Sequence, residues 1–280
     1  MTGSLFSFGH GYSAQALSRL LMHDGWQIVG TTRDADGADA IRASGADPLI
    51  WPGQAPSLDG MTHLLISIAP TAKGDPVLAA LRTEIEARAN QFSWVGYLST
   101  TAVYGDHQGD WVDESTPPAP TADRGQWRLH AEQEWAGIPG LPTHIFRLAG
   151  IYGPGRGPFS KLKRGGLRRI IKPGQVFSRI HVADIAQVLR ASMARPNPGS
   201  VYNVCDDEPV PPQDVIGYAA KLQGLPLPPA VAFEDADMTP MARSFYNENK
   251  RVRNDRIKEE LGVRLLYPDY RVGLESLMKR

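Results

Sequence analysis

Gly9, Gly11 and Ala14 stand in G-x-G-x-x-A order in "GHGYSA", directly behind the apolar run "SLFSF". A first glycine permits a tight turn, a second lets the backbone approach a pyrophosphate, and a small third residue lets a helix pack closely on a strand. Tyr12, Ser13 and Ala14 open the predicted helix, whose first N–H groups and positive dipole end favour a phosphate. The next strand ends in "GTTRD". An acid there would hold a ribose 2′-hydroxyl, but Thr32 takes the position and Arg33 follows it. A hydroxyl and a guanidinium suit a 2′-phosphate, which favours NADP(H). NAD(H) is the alternative, with Asp34 serving the ribose and Arg33 solvated. Farther on, "LLISIAP" places Ser67 to Pro70 at a strand end, where Ala69 is expected to pack on the cofactor or to be a plain strand end.

These residues need a scaffold, and the pattern around them supplies one. Strand-like "SLFSF", "WQIVGTT", "PLIW", "HLLISIA", "WVGYLST" and "THIFRLAG" alternate with helical stretches at 12–24, 36–44, 76–91 and 125–136. Such alternation predicts a Rossmann-type, doubly wound parallel sheet with helices on both faces. After residue 150 the regularity gives way to "GPGRGP", "RPNPG", "EPVPP" and "LPLPP", with one further helix at 182–194 and a strand "SVYNV". Residues 1–152 with about 179–205 are therefore expected to form the dinucleotide domain. Residues 153–178 with 206–280 are expected to form a smaller substrate lobe.

Composition excludes several classes. Thirty basic and thirty acidic residues cancel, so no global field recruits nucleic acid or an anionic membrane. No apolar run approaches membrane-spanning length, and the N-terminus lacks a signal-peptide pattern. The single cysteine, Cys205, suits a reducing compartment, so a cytoplasmic location is expected. The seven histidines show no metal-ligand spacing, and no metal is expected.

"GHGYSA", "LSTTAVYGD", "FRLAGIYGPGR", "RIHVADIA", "YNVCDDEPV" and "NKRVRNDRIKEELG" occur in the order and approximate spacing of the extended short-chain dehydrogenase/reductases. The chain resembles this superfamily of sugar-nucleotide epimerases and dehydratases over almost its whole length, and most of all its small atypical, YeeZ-like members. The resemblance implies a Ser or Thr that polarises the substrate oxygen, a Tyr that moves the proton, and a Lys four residues on that lowers the Tyr pKa and holds the nicotinamide ribose. By register against "VYG", Thr100 takes the first role, with Ser99 and Thr101 as neighbours. Arg124 falls at the Tyr position and Arg128 at the Lys position. Arg stays protonated above pH ~12, so Arg124 binds charge but cannot shuttle a proton. Arg128 remains a fixed cation for the ribose. Alternatively both arginines merely line a solvated helix face, Arg128 with Glu132 at i+4. Other acids to weigh are Tyr104, Tyr152, Asp113 and Glu114. His181 reads as a packing or hydrogen-bonding residue, and Asp184 as support for a helix start.

Residues 155–174 carry Arg156, Lys161, Lys163, Arg164, Arg168, Arg169 and Lys172 without an acid. They predict a small anionic substrate near 156–172, or else a solvated basic face. Two functions follow: an NADP(H)-dependent oxidoreductase or epimerase/dehydratase-like enzyme of altered mechanism, or a non-catalytic NAD(P)-binding redox sensor or partner-binding protein.

Overall fold

The computed structural model describes residues 2–278. In chain order, the first half runs β1 (Ser4–Phe8), α1 (Tyr12–His23), β2 (Gln27–Thr32), α2 (Ala35–Ala43), β3 (Asp47–Ile50), β4 (His63–Ile66), α3 (Pro76–Ala87), β5 (Trp94–Thr100), β6 (Trp111–Val112) and α4 (Asp123–Ala136). The second half runs β7 (Thr143–Leu148), β8 (Gly150–Tyr152), α5 (Phe159–Arg164), β9 (Arg169–Ile171), β10 (Arg179–His181), α6 (Val182–Ala194), β11 (Val201–Val204), α7 (Pro212–Leu222), β12 (Ala230–Ala232), α8 (Pro240–Ser244), β13 (Arg251–Val252), α9 (Asp255–Glu259) and α10 (Tyr270–Met278).

Seven strands form one parallel sheet in the order β11-β7-β5-β4-β1-β2-β3. This is the expected doubly wound α/β sheet. Strand order reverses between β1 and β4, so the carboxyl ends of these two strands flank the crevice where such sheets take ligands. Each face has its own core. Leu17 and Leu21 of α1 meet Ile185, Val188 and Leu189 of α6 on one face. On the other, Val77, Leu78 and Ile85 of α3 pack with Ala131 and Trp135 of α4. Each buried Leu, Ile or Val among them contributes roughly 1.5–3 kcal/mol of hydrophobic stabilisation. The alternation of β5 serves both cores: Trp94 lies on the α6 side and donates to Ser192 Oγ at 3.0 Å, while Tyr97 lies on the α4 side. Gly96 leaves room for the Trp94 ring, since a Cβ there would fall 2.0 Å from it.

Sequence and structure differ at element ends. The helix expected over 76–91 stops at Ala87 and continues as a 3-10 turn over 89–91. The strand expected through Ala69 stops at Ile66, because Pro70 and the Thr71–Gly74 turn end sheet pairing. Outside the seven-stranded sheet, Leu162 of α5, Val215 and Ala219 of α7 and Tyr270 and Leu274 of α10 form a separate core, and β9 pairs with β12. Ile257, Leu261 and Val263 instead return to the core shared by α1 and α6.

Candidate active site

Gly9 leaves β1 at φ +78°, a conformation costly for a residue with a Cβ. A Cβ would also lie 2.8 Å from Ile68 Cγ1, so the turn is closed down on the end of β4. Gly11 differs. It adopts φ −89° as the N-cap of α1 with no side-chain cap, and a Cβ on it would meet nothing nearer than Gly9 O at 3.9 Å. The space above the first turn of α1 is open, and the early N–H groups of a helix have no acceptor within it. Ala14 is fully buried against the sheet. A tight turn, an uncovered helix start and a small buried residue thus stand in succession at the carboxyl end of β1.

The turn is tied to β2. Gly9 N donates to Thr31 Oγ1 at 2.7 Å, and His10 N donates to Thr31 O at 2.9 Å. The His10 ring lies over Gly30, where a Cβ would be 2.5 Å away. Burial lowers the His10 pKa to about 4, so the ring is neutral. Thr31 therefore sets Thr32 and Arg33 beside the glycine turn. Arg33 is exposed, while Asp34 Oδ1 accepts from Gly37 N at 2.8 Å as the N-cap of α2. Ala69 is exposed just past β4. Tyr12 donates from its hydroxyl to Pro154 O at 2.9 Å, and the Arg156 guanidinium stands 5.7 Å from its ring centroid.

At the same edge of the sheet, Thr100 ends β5. Its Oγ1 accepts from Ala102 N at 3.2 Å, which leaves its own proton to donate elsewhere. Ser99 points the other way, donating to buried Glu132, which also takes Arg147 Nη2 at 2.8 Å. Arg147 stacks 4.8 Å from the Tyr104 ring centroid, and Tyr104 donates to Asn203 Oδ1 at 2.8 Å. That buried chain joins β5, α4, β7 and β11 directly beneath Thr100.

Arg128 donates to Leu98 O at 2.7 Å and lies 3.5 Å from the Tyr97 hydroxyl. It does not pair with Glu132, which is committed to Arg147 and Ser99. Gly125 is buried, and a Cβ there would be 2.8 Å from Pro120 Cβ and 3.0 Å from Ala102 O, so α4 begins hard against the turn after Thr100. Arg124, one residue before, is exposed.

No protein-family model matches the chain. Protein YeeZ of Escherichia coli K12 is 28% identical over 274 residues, spanning 93% of this chain and 95% of YeeZ. A functionally unknown conserved protein from Silicibacter pomeroyi has the same structure to a TM-score of 0.98 at 76% identity, covering 99% of this chain and 98% of that one. A protein assigned as an NAD-dependent epimerase/dehydratase, from Methylobacillus flagellatus, aligns with TM-score 0.72 at 26% identity, covering 99% and 98% of the two chains. The chain is a YeeZ homologue with the epimerase/dehydratase-like fold of an atypical short-chain dehydrogenase/reductase.

Within that epimerase/dehydratase-like fold, the other acids weighed from sequence have structural work. Tyr104 is buried in the Arg147 chain. Tyr152 is buried too, its hydroxyl 3.4 Å from Asp269 O and its pKa raised by desolvation. Asp113 accepts from Ser115 and Thr116, which lowers its pKa. Glu114 accepts from Asn203 N at 2.7 Å. His181 caps α6 through Nδ1 to Ala183 N at 3.2 Å. Asp184 holds Leu266 N and Tyr267 N, with its pKa raised to about 6 by burial. Cys205 is buried and its thiol pKa is pushed up, so it is no nucleophile. Among the described residues no His/Cys/Asp/Glu group of three or more could hold a metal, and no helix is long and apolar enough to cross a membrane.

The basic segment divides. Arg156, Lys161, Lys163, Arg164 and Arg168 are exposed. Arg169 is turned onto Pro228 O at 2.8 Å, and Lys172 donates to Tyr246 O. A pocket of about 350 Å³ lined by Trp111, Asp206, Asn254 and Lys258 lies at the β11 edge and shares no residue with the glycine turn. Sequence reading missed Thr31, Glu132 and Arg147: Thr31 looked like one more strand residue, and Glu132 looked like a surface partner for Arg128.

Proposed function

We propose that this chain binds NADP(H) and acts as an oxidoreductase or epimerase/dehydratase-like enzyme on a small anionic substrate, without the usual tyrosine. One observation carries the cofactor half: the open space at Gly11, over the first turn of α1, with Arg33 one residue past the strand that Thr31 staples to the same turn. Gly9, Gly11, Tyr12, Ser13 and Ala14 would hold the diphosphate, Thr32 and Arg33 the 2′-phosphate, Ala69 the cofactor's packing face and Arg128 the nicotinamide ribose. Asp34 is the weaker candidate for a ribose ligand because its carboxylate already caps α2.

NADP(H) would supply hydride transfer. Thr100 would donate its hydroxyl proton in a hydrogen bond to the substrate oxygen, and Arg124 would bind substrate charge. With Tyr104 and Tyr152 both engaged in the interior, the transferred proton would come from water. The lobe around α5, α7 and α10 would carry the substrate, with the exposed cations from Arg156 to Arg168 toward its anionic part.

One observation favours a second reading, a non-catalytic dinucleotide sensor: exposed Arg124 in place of a phenol near neutral-pH proton chemistry. Titration with NADPH and NADH, then NADPH oxidation against aldehydes, ketones and nucleotide sugars, separates the two. Turnover that Thr100→Val abolishes supports the enzyme. Tight binding without turnover supports the sensor, and no dinucleotide binding sinks both.

A further inference from the structure

Arg124 has an unusual neighbour. Among the described residues its guanidinium meets no carboxylate and instead reaches the Sδ of Met241 at 3.7 Å. Met241 lies in α8, and Phe245 follows four residues later in the continuing 3-10 turn, so the two share one face. They are 51% and 63% exposed.

That exposure is held in place. Tyr246, the next residue, is buried, with its ring 5.3 Å from Phe177 and 5.2 Å from Phe233. Lys172 donates to its carbonyl, and Arg243 donates to Ala236 O at 2.7 Å. Glu248 accepts from Thr121 Oγ1 at 2.8 Å, fastening the segment to the stretch that leads into α4. The anchors turn Tyr246 inward and leave Met241 and Phe245 outward, beside a cation with no acid of its own. Neither folding nor solubility calls for that combination.

We propose that the substrate is an amphipathic anion, with an aryl or short acyl body against Met241 and Phe245 and a carboxylate on Arg124. This rests on the reading that the start of α4 borders the reaction site, and it names the substrate class for that reading. A guanidinium fork matches a carboxylate. Met and Phe offer no partners to the hydroxyls of a sugar, whose desolvation would go uncompensated. A second copy of the chain is a poor occupant, since two side chains fall far short of the ~800 Å² per partner that a stable interface buries.

The test is calorimetric titration of the full chain, with and without NADPH, using 4-phenylbutyrate, 4-phenylbutan-1-ol, butyrate and UDP-glucose. Phenylbutyrate is expected to bind at least about tenfold more tightly than the alcohol or butyrate. Arg124→Gln should erase its advantage over the alcohol, and Phe245→Ser its advantage over butyrate. Both variants should melt like the parent, because both side chains are exposed. Tighter binding of UDP-glucose, or phenylbutyrate binding indifferent to both substitutions, overturns the proposal. So does a dimer in sedimentation that Phe245→Ser dissolves. Failure of NADPH itself to bind counts against the functional reading and leaves the ranking of these probes to decide the substrate class.

Discussion

Two glycines in one motif are glycines for different reasons, and that difference is measurable. Gly9 is held by φ and by Ile68, so Gly9→Ala is expected to cost at least about 2 kcal/mol of stability by urea unfolding. Gly11 faces open space in an ordinary backbone conformation. Gly11→Ala should leave stability within about 0.5 kcal/mol of the parent and weaken NADPH binding at least about tenfold, because the new methyl occupies phosphate space. Equal NADPH affinity in the two proteins would remove the diphosphate from this turn. Arg33 divides the two dinucleotides: Arg33→Ala should weaken NADPH by about 10–100-fold, the worth of a charge-assisted hydrogen bond, and leave NADH nearly unchanged. Parallel losses for both would return Arg33 to the solvent.

At the scale of elements, the site depends on how β5 and α4 are joined. Ser99, Glu132, Arg147 and Tyr104 form a buried ionic chain under Thr100, with Glu132 and Arg147 only 3% and 5% exposed. Replacing such a pair whole is often neutral, but removing one partner strands a buried charge. Glu132→Ala is therefore expected to cost about 3–5 kcal/mol, whereas Ser99→Ala, which removes one hydrogen bond, should cost only about 1 kcal/mol. Urea denaturation measures both. Similar small losses would show that water relieves Arg147 and that the chain is not what seats Thr100. Arg128 belongs to the same joint, since its bond to Leu98 O ties α4 to β5 one strand position from Ser99.

Over the whole molecule, three neutral histidines set the acid limit. His10, His63 and His144 are buried in the glycine turn, β4 and β7, and desolvation lowers each pKa to about 4 from 6.5. The unfolded chain binds their protons first, so their contribution is complete above pH 6.5 and is lost as pH falls toward 4. Each contributes a slope of up to about 1.4 kcal/mol per pH unit in that window. Asp184 opposes them: its pKa is raised from 3.8 to about 6, so the fold takes up that proton first and gains stability as pH falls through this range. Asp206, fully buried and raised by desolvation, acts in the same sense. Net stability is expected to decline between pH 7 and 5. His144→Gln should shallow that decline, since Gln can still accept from Asn197 N, the bond His144 Nε2 takes at 2.9 Å. An unchanged slope in the variant would assign the acid transition elsewhere.

The alternation of apolar runs with helical stretches was enough to specify the parallel sheet, because burying both faces of a strand leaves a continuous hydrophobic signature that neighbours in sequence carry by themselves. The glycine turn was legible for the same reason: the turn at Gly9, the helix start at Tyr12 and the close packing of Ala14 all lie within six residues. Long-range partners were not. Thr31 stapling Gly9, Glu132 choosing Arg147 over Arg128, and Met241 arriving beside Arg124 join residues whose separation along the chain gives no periodic signal. A side chain such as Glu132 has a helical neighbour four residues away on any helix. Whether it takes that neighbour or a strand arginine depends on which face is buried, and burial is settled only when sheet and helices pack.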